Sequence, residues 1–110
     1  MDKEENQQIK ILYDALNKII EFTKDMKSVE DLTSNIMAWD AVKMNLVVIY
    51  ESYFKIDPKT RNKYSSVEWD QIMENKPILE SRYLGFDSNA IWKAIQGKLP
   101  EFKKQIEEIL

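Results

Sequence analysis

The residues whose chemistry has to be weighed first lie in the stretch ENKPILESRYLGFDSNAIW, from Glu74 to Trp92. Lys76 can hold a phosphate as a point charge, although it lacks the planar fork of arginine. Tyr83 offers a phosphate contact or a hydroxyl open to modification. Ser81 has no titration near neutral pH and cannot serve as a general base. Each has a plainer reading. Lys76 then becomes a solvated lysine, Ser81 a local cap or turn residue, and Tyr83 a half-buried aromatic at a helix end. The chain contains no histidine and no cysteine. Without histidine the commonest general base and the commonest metal ligand are missing. Without cysteine, disulfides and thiolate zinc sites are excluded. Triads, His-based metal sites and Glu-x-x-His di-iron sites are therefore ruled out, and no metal site or cofactor is expected.

The elements that must position this stretch read as helices. From Glu4 to Met26, Ile9, Leu12, Leu16, Ile19 and Met26 fall at steps of three and four, with Thr23 filling the gap. Ile20 and Phe22 widen that apolar surface. Ser28 and Asp31 form a capping-box-like start to a short helix near Val29 to Ser34. Asn35 to Phe54 is long, apolar nearly all round and free of Gly and Pro, which predicts a central helix, the most buried of the set. Asn45 within it suits either packing register across a dimer axis or an ordinary internal hydrogen bond. Lys55 to Ser66 reads as a loop opened by Asp57-Pro58. Ser65 and Glu68 form a second capping box, starting a helix at about Val67 that carries Trp69. Pro77 interrupts that helix between Asn75 and Pro77. Asp87 or Ser88 caps the last helix. Its seam of Trp92, Ile95, Leu99, Phe102, Ile106 and Ile109 runs through Gly97 and Pro100, implying a bent helix or two nearly coaxial segments. Trp69 and Trp92 are assigned to the core, and Glu107 and Glu108 to a solvated face.

At 110 residues, 44% of them hydrophobic and 32% charged, the chain fits one domain spanning 1–110 with a real core. Two glycines and three prolines favour helices over a turn-rich β fold. The expected fold is all-α: an antiparallel bundle of four major helices plus a short one. The surplus of apolar seams for one small core points to a homodimer. No run reaches the roughly 20 apolar residues of a membrane span, and MDKEENQQIK carries no apolar signal region, so no membrane association and a cytoplasmic location are the default expectations. A net charge of −3 argues against broad RNA binding through phosphates, leaving room for a local basic patch.

Three stretches together resemble one family. AWDAVKMNLVVIYES, from Ala38 to Ser52, is similar to a central helix of pattern DAV-x-x-NL-x-x-I-GEA, with Tyr50 and Ser52 in place of its Gly and Ala and Glu51 matching. SVEWDQI is similar to a W-x-x-I helix start, and IWKAIQGKLPEFKKQIEEIL to a C-terminal VW-x-I-I-x-x-x-LP pattern. The family is HepT-like, within the HEPN superfamily of small α-helical proteins. The resemblance implies a HEPN-like helical fold, dimers with paired motifs lining a shared cleft, and a toxin role beside an MNT nucleotidyltransferase antitoxin. It also implies metal-independent RNA cleavage by an Arg and a His in the motif R-N-x-x-x-H-x-Y, and silencing by transfer of AMP to the motif tyrosine.

Anchoring on Tyr83, Leu84, Gly85 and Asp87 places Lys76 at the motif Arg, Pro77 at the Asn and Ser81 at the His. Only Tyr83 survives. Attack by a ribose 2′-hydroxyl needs a proton acceptor, a proton donor and a cation on the phosphorane, and a positioned His supplies about 10²–10⁴-fold. Two functions compete. The chain is either a catalytically degenerate interaction module that still binds an MNT-type partner, or an active metal-independent ribonuclease whose chemistry has moved to other residues.

Overall fold

The computed structural model describes residues 3–74 and 86–110. Among these the chain is all-helical, with seven helices and no strand. Helix α1 spans Lys3–Thr23. Its seam is buried as read: Ile9, Leu12, Leu16 and Ile19 are all at 0% exposure. Thr23 completes the stripe because its Oγ1 donates to the Ile19 carbonyl at 2.8 Å, which satisfies the hydroxyl inside the core. The helix stops there, so Met26 lies in the following turn and packs half-buried against the core.

Helix α2 is Val29–Ser34. Ser28 Oγ accepts the Asp31 N–H at 3.3 Å, and Asp31 Oδ2 reaches back to the Lys27 N–H at 2.8 Å. The cap is thus reciprocal, with the short Asp bonding one residue before the usual partner. Asn35 then turns the chain with extended dihedrals. Its N–H donates to the Leu32 carbonyl at 3.2 Å and its Oδ1 accepts the Ala38 N–H at 3.1 Å. One residue closes α2 and opens α3.

Helix α3, Ile36–Lys55, packs on α1 and α2 through Val42, Leu46, Ile49 and Tyr53. It is central to the packing, yet several of its large apolar side chains are bare. Ile36 is 72% exposed, Met37 84%, Met44 62% and Phe54 62%. Among the described residues, the neighbouring helices cover one side of α3. Asn45 makes the internal bond, its Nδ2 donating to the Ala41 carbonyl at 2.8 Å.

The expected loop at Lys55 to Ser66 contains a helix, α4, Pro58–Lys63. Asp57 Oδ1 accepts the Lys59 N–H at 2.8 Å and Pro58 occupies the first helical position, where its missing N–H costs nothing. Polar composition masked a turn of helix whose start signal was in plain view. From α4, Arg61 folds back over the end of α3. Its Nη1 donates to the Tyr53 carbonyl at 3.0 Å and to the Ile56 carbonyl, and its guanidinium lies 4.3 Å above the Tyr53 ring. Carbonyls left over at the helix end meet a fixed cation.

Helix α5, Trp69–Glu74, starts two residues later than expected. The Ser65–Glu68 capping box does not form, because the Glu68 N–H that Ser65 would cap donates instead to Gln105 Oε1 at 2.8 Å. Helices α6, Ser88–Gln96, and α7, Lys98–Ile109, are two helices meeting at Gly97. Asp87 is the N-cap, accepting the Ala90 N–H at 3.1 Å. Pro100 is the third residue of α7, where a backbone N–H has no intrahelical partner to lose. The seam carries on across the break, with Ile91, Ile95, Leu99, Phe102 and Ile106 buried against α1. Trp69 stacks edge-to-face on Phe102, centroids 6.0 Å apart, whereas Trp92 is only half-buried at the core's margin.

Two side chains give direct tests. Replacing Arg61 by Ala strips charged hydrogen bonds from the α3 terminus, and urea unfolding is expected to show a loss of about 1–3 kcal/mol, with Arg61→Lys recovering only part. The Tyr50 hydroxyl is buried with no hydrogen-bond partner, and burial pushes its pKa well above the usual tyrosine value. Tyr50→Phe is therefore expected to be neutral or to stabilise the fold by up to about 1 kcal/mol in the same assay. A loss of that size would mean that the hydroxyl is bonded.

Candidate functional site

Lys76, Pro77, Ser81 and Tyr83 lie outside the described residues. The structure therefore defines the two ends from which their segment is strung. The incoming end is α5. The residue before it, Glu68, is clamped from α7: Gln105 accepts the Glu68 N–H at 2.8 Å and returns a bond from Nε2 to Glu68 Oε1 at 2.9 Å. Gln71 Nε2 bonds the other carboxylate oxygen. Trp69 adds a second fastening, its Nε1 donating to the Tyr64 carbonyl at 3.1 Å. A short helix is held here by tertiary bonds, which its six residues need because isolated helices of that length are unstable.

The outgoing end is Phe86, half-buried against the core, followed by the Asp87 cap. Lys43 of α3 sits over the Trp39 ring at 5.0 Å and near the Phe86 ring at 5.9 Å. Its Nζ also pairs with Asp40 Oδ1 at 3.3 Å. The ring faces attract the cation and offset part of the hydration it loses beside them. Sequence reading placed Asp40 in a family pattern but missed Lys43 and Gln105 as anchors. Both act across the tertiary structure, and neither helix periodicity nor local spacing signals them.

The remaining chemistry is modest. Glu51 is exposed, consistent with a solvated carboxylate. Of Glu107 and Glu108, both exposed, Glu107 pairs with Lys103 at 3.7 Å. Among the described residues no group of three or more acidic side chains converges as metal ligands would. A cavity of about 30 Å³ lies among Leu16, Leu46, Ile49, Tyr50, Ile91 and Phe102. That is room for about one or two waters, far below the roughly 300–1,000 Å³ of a small-molecule site. An open groove of about 530 Å³ borders α4 and α5, but its arginine, Arg61, is committed to the α3 carbonyls.

The four described tyrosines differ in burial. Of the chain's five, Tyr50 and Tyr53 are buried at 5% and 7% exposure. Tyr13 and Tyr64 pack half-buried against the core. No helix among the described residues is long and apolar enough to cross a membrane.

Comparison with known proteins gives a consistent picture. The family model described as "Ribonuclease HepT-like" matches residues 12–109. The chain is 31% identical over 99 residues to "Putative RNase MJ1380" of Methanocaldococcus jannaschii, covering 87% of this chain and 90% of that protein. It is 31% identical over 102 residues to "Putative RNase MJ0125" of the same organism, covering 90% and 87%. It is 32% identical over 83 residues to "Putative RNase TTE0752" of Caldanaerobacter subterraneus subsp. tengcongensis, covering 76% and 74%. No solved structure matches. A family match spanning nearly the whole chain, on an all-helical fold of the expected kind, establishes that this protein belongs to the HepT-like ribonuclease family of the HEPN superfamily.

Proposed function

We propose that the protein is a catalytically degenerate HepT-like module that binds an MNT-type nucleotidyltransferase rather than cleaving RNA. The observation carrying this reading is the absence of histidine from all 110 residues. In-line attack by a 2′-hydroxyl needs proton transfer at both oxygens, and at the motif positions Lys76, Pro77 and Ser81 supply no group that titrates near neutrality. Proline at position 77 also lacks a backbone donor and would bend a helix on which the family's Arg and His share a face. The competing reading, a metal-independent ribonuclease using other residues, is favoured by the RNase names its relatives carry.

Tyr83 is the proposed point of contact with the partner's chemistry. The nucleotidyltransferase would transfer AMP from ATP to the tyrosine oxygen, the hydroxyl proton leaving and pyrophosphate departing, with the partner's Mg²⁺ orienting ATP. Burial makes Tyr50 and Tyr53 poor acceptors, while the choice of Tyr83 over the half-buried Tyr13 and Tyr64 rests on its place in the motif. Lys76 or Arg82 would offset the added charge only slightly, since exposed pairs contribute about 0–1 kcal/mol.

Two measurements decide between the readings. Purified protein is expected to leave RNA uncut in excess chelator, alone or with a co-encoded nucleotidyltransferase. Cleavage that disappears in Lys76→Ala would instead establish an active enzyme. The variant Lys76→Arg, Pro77→Asn, Ser81→His rebuilds the motif, and partial cleavage by it would support the alignment. Separately, intact mass spectrometry after incubation with the nucleotidyltransferase and Mg-ATP is expected to show an added AMP that is lost in Tyr83→Phe. An unchanged mass, or an adduct persisting in Tyr83→Phe, rules the site out.

A further inference from the structure

Helix α3 carries two seams. The inner one, through Val42, Leu46, Ile49 and Tyr53, is buried. The outer one runs Met37, Asp40, Met44, Val47, Glu51, Phe54, again at steps of three and four, so these side chains share one face of the helix. Met37, Met44 and Phe54 are each more than 60% exposed, and Val47 is half-buried. This is the periodicity of a helix-pairing surface, and among the described residues no helix lies on it.

Two carboxylates inside the seam decide what fits. Asp40 and Glu51 are both exposed and stand about three turns apart. Asp40 has Lys43 at 3.3 Å, whereas Glu51 has no ion pair among the described residues. A second copy would be opposed in either direction. Parallel α3 helices in register set Asp40 on Asp40 and Glu51 on Glu51. Antiparallel helices centred between Met44 and Val47 set Asp40 on Glu51 twice, since a two-fold axis repeats every contact. Lys43 offsets part of the Asp40 charge, so self-pairing is penalised chiefly where Glu51 meets a carboxylate of the second copy. By contrast, a helix with a cation facing Glu51 and Asp40 gains most at Glu51.

We propose that the outer seam of α3 is a docking surface for an amphipathic helix of a different protein, with apolar residues along its seam and Lys or Arg facing Asp40 and Glu51. The methionines suit this role because their unbranched side chains adapt to a partner's shape. The homodimer expected from the apolarity of α3 would then not use this face.

The test uses two synthetic helical peptides with one leucine seam, carrying arginine or glutamate at the two positions that meet Asp40 and Glu51. Fluorescence anisotropy is expected to show the arginine peptide binding the wild-type protein about tenfold more tightly. The double variant Asp40→Lys, Glu51→Lys should reverse the preference, and Met44→Asp should abolish binding of both peptides. All three positions are exposed, so circular dichroism should show unchanged helix content. Equal binding of the two peptides, no binding, or a preference that survives the charge reversal overturns the proposal. So does a dimer by light scattering that Met44→Asp dissociates, which would assign the face to a second copy. The peptides contain no nucleotidyltransferase, so this outcome is independent of whether Tyr83 is modified.

Discussion

The structure depends on one packing constraint, the burial of the α1 stripe. Four aliphatic side chains at 0% exposure, Ile9, Leu12, Leu16 and Ile19, face α3, α6 and α7 together. Each fully buried side chain of this kind contributes about 1.5–3 kcal/mol relative to exposure. The stripe is narrow, and only three long elements can reach it. The short helices α2 and α5 add single core side chains, Leu32 and Trp69, and together with α4 are fixed at the edges by caps and tertiary hydrogen bonds. The short helices are consequently the parts whose position depends on single residues such as Asn35, Arg61 and Gln105.

Those single residues mark the limit of what the sequence made legible. The long seams of α1 and of α6 with α7 could be read directly, because burial on one face of a helix imposes a 3.6-residue rhythm on the chain. The Ser28 and Asp87 caps could be read for a similar reason, since capping is local. The α4 helix was missed, although Asp57 and Pro58 gave its start, because six polar residues carry no apolar rhythm. The exposed face of α3 could not be located from composition, which reports how apolar a helix is and not how many neighbours it has. The Gln105 clamp on Glu68 could not be found by periodicity or spacing, as its partners are 37 residues apart. At the candidate site, the reading of Lys76, Pro77 and Ser81 as replacements in the family motif rests on sequence alignment alone, while the anchors on either side emerged only from tertiary contacts.

The anchoring has a functional logic that does not depend on catalysis. Both ends of the motif segment are tied to the largest helices, α5 through Glu68 and Gln105, and Phe86 through the rings around Lys43. Such ties hold the ends of a segment at a fixed separation whether the residues between them cut RNA or are recognised by another protein. A chain that had lost the reaction could therefore keep the frame, and the frame would still present Tyr83 between the same two supports.

The shared joint at Asn35 has a consequence for the corner it creates. Its main chain closes α2 while its side chain opens α3, so the backbone leading into Ile36 and Met37 is fixed from both sides. Two bare apolar side chains thus project from a rigid elbow rather than from a fraying helix end. A molecule settling on that elbow would quench side-chain rotation but no backbone motion, which keeps the entropic cost of association low at the very place where apolar surface is most available.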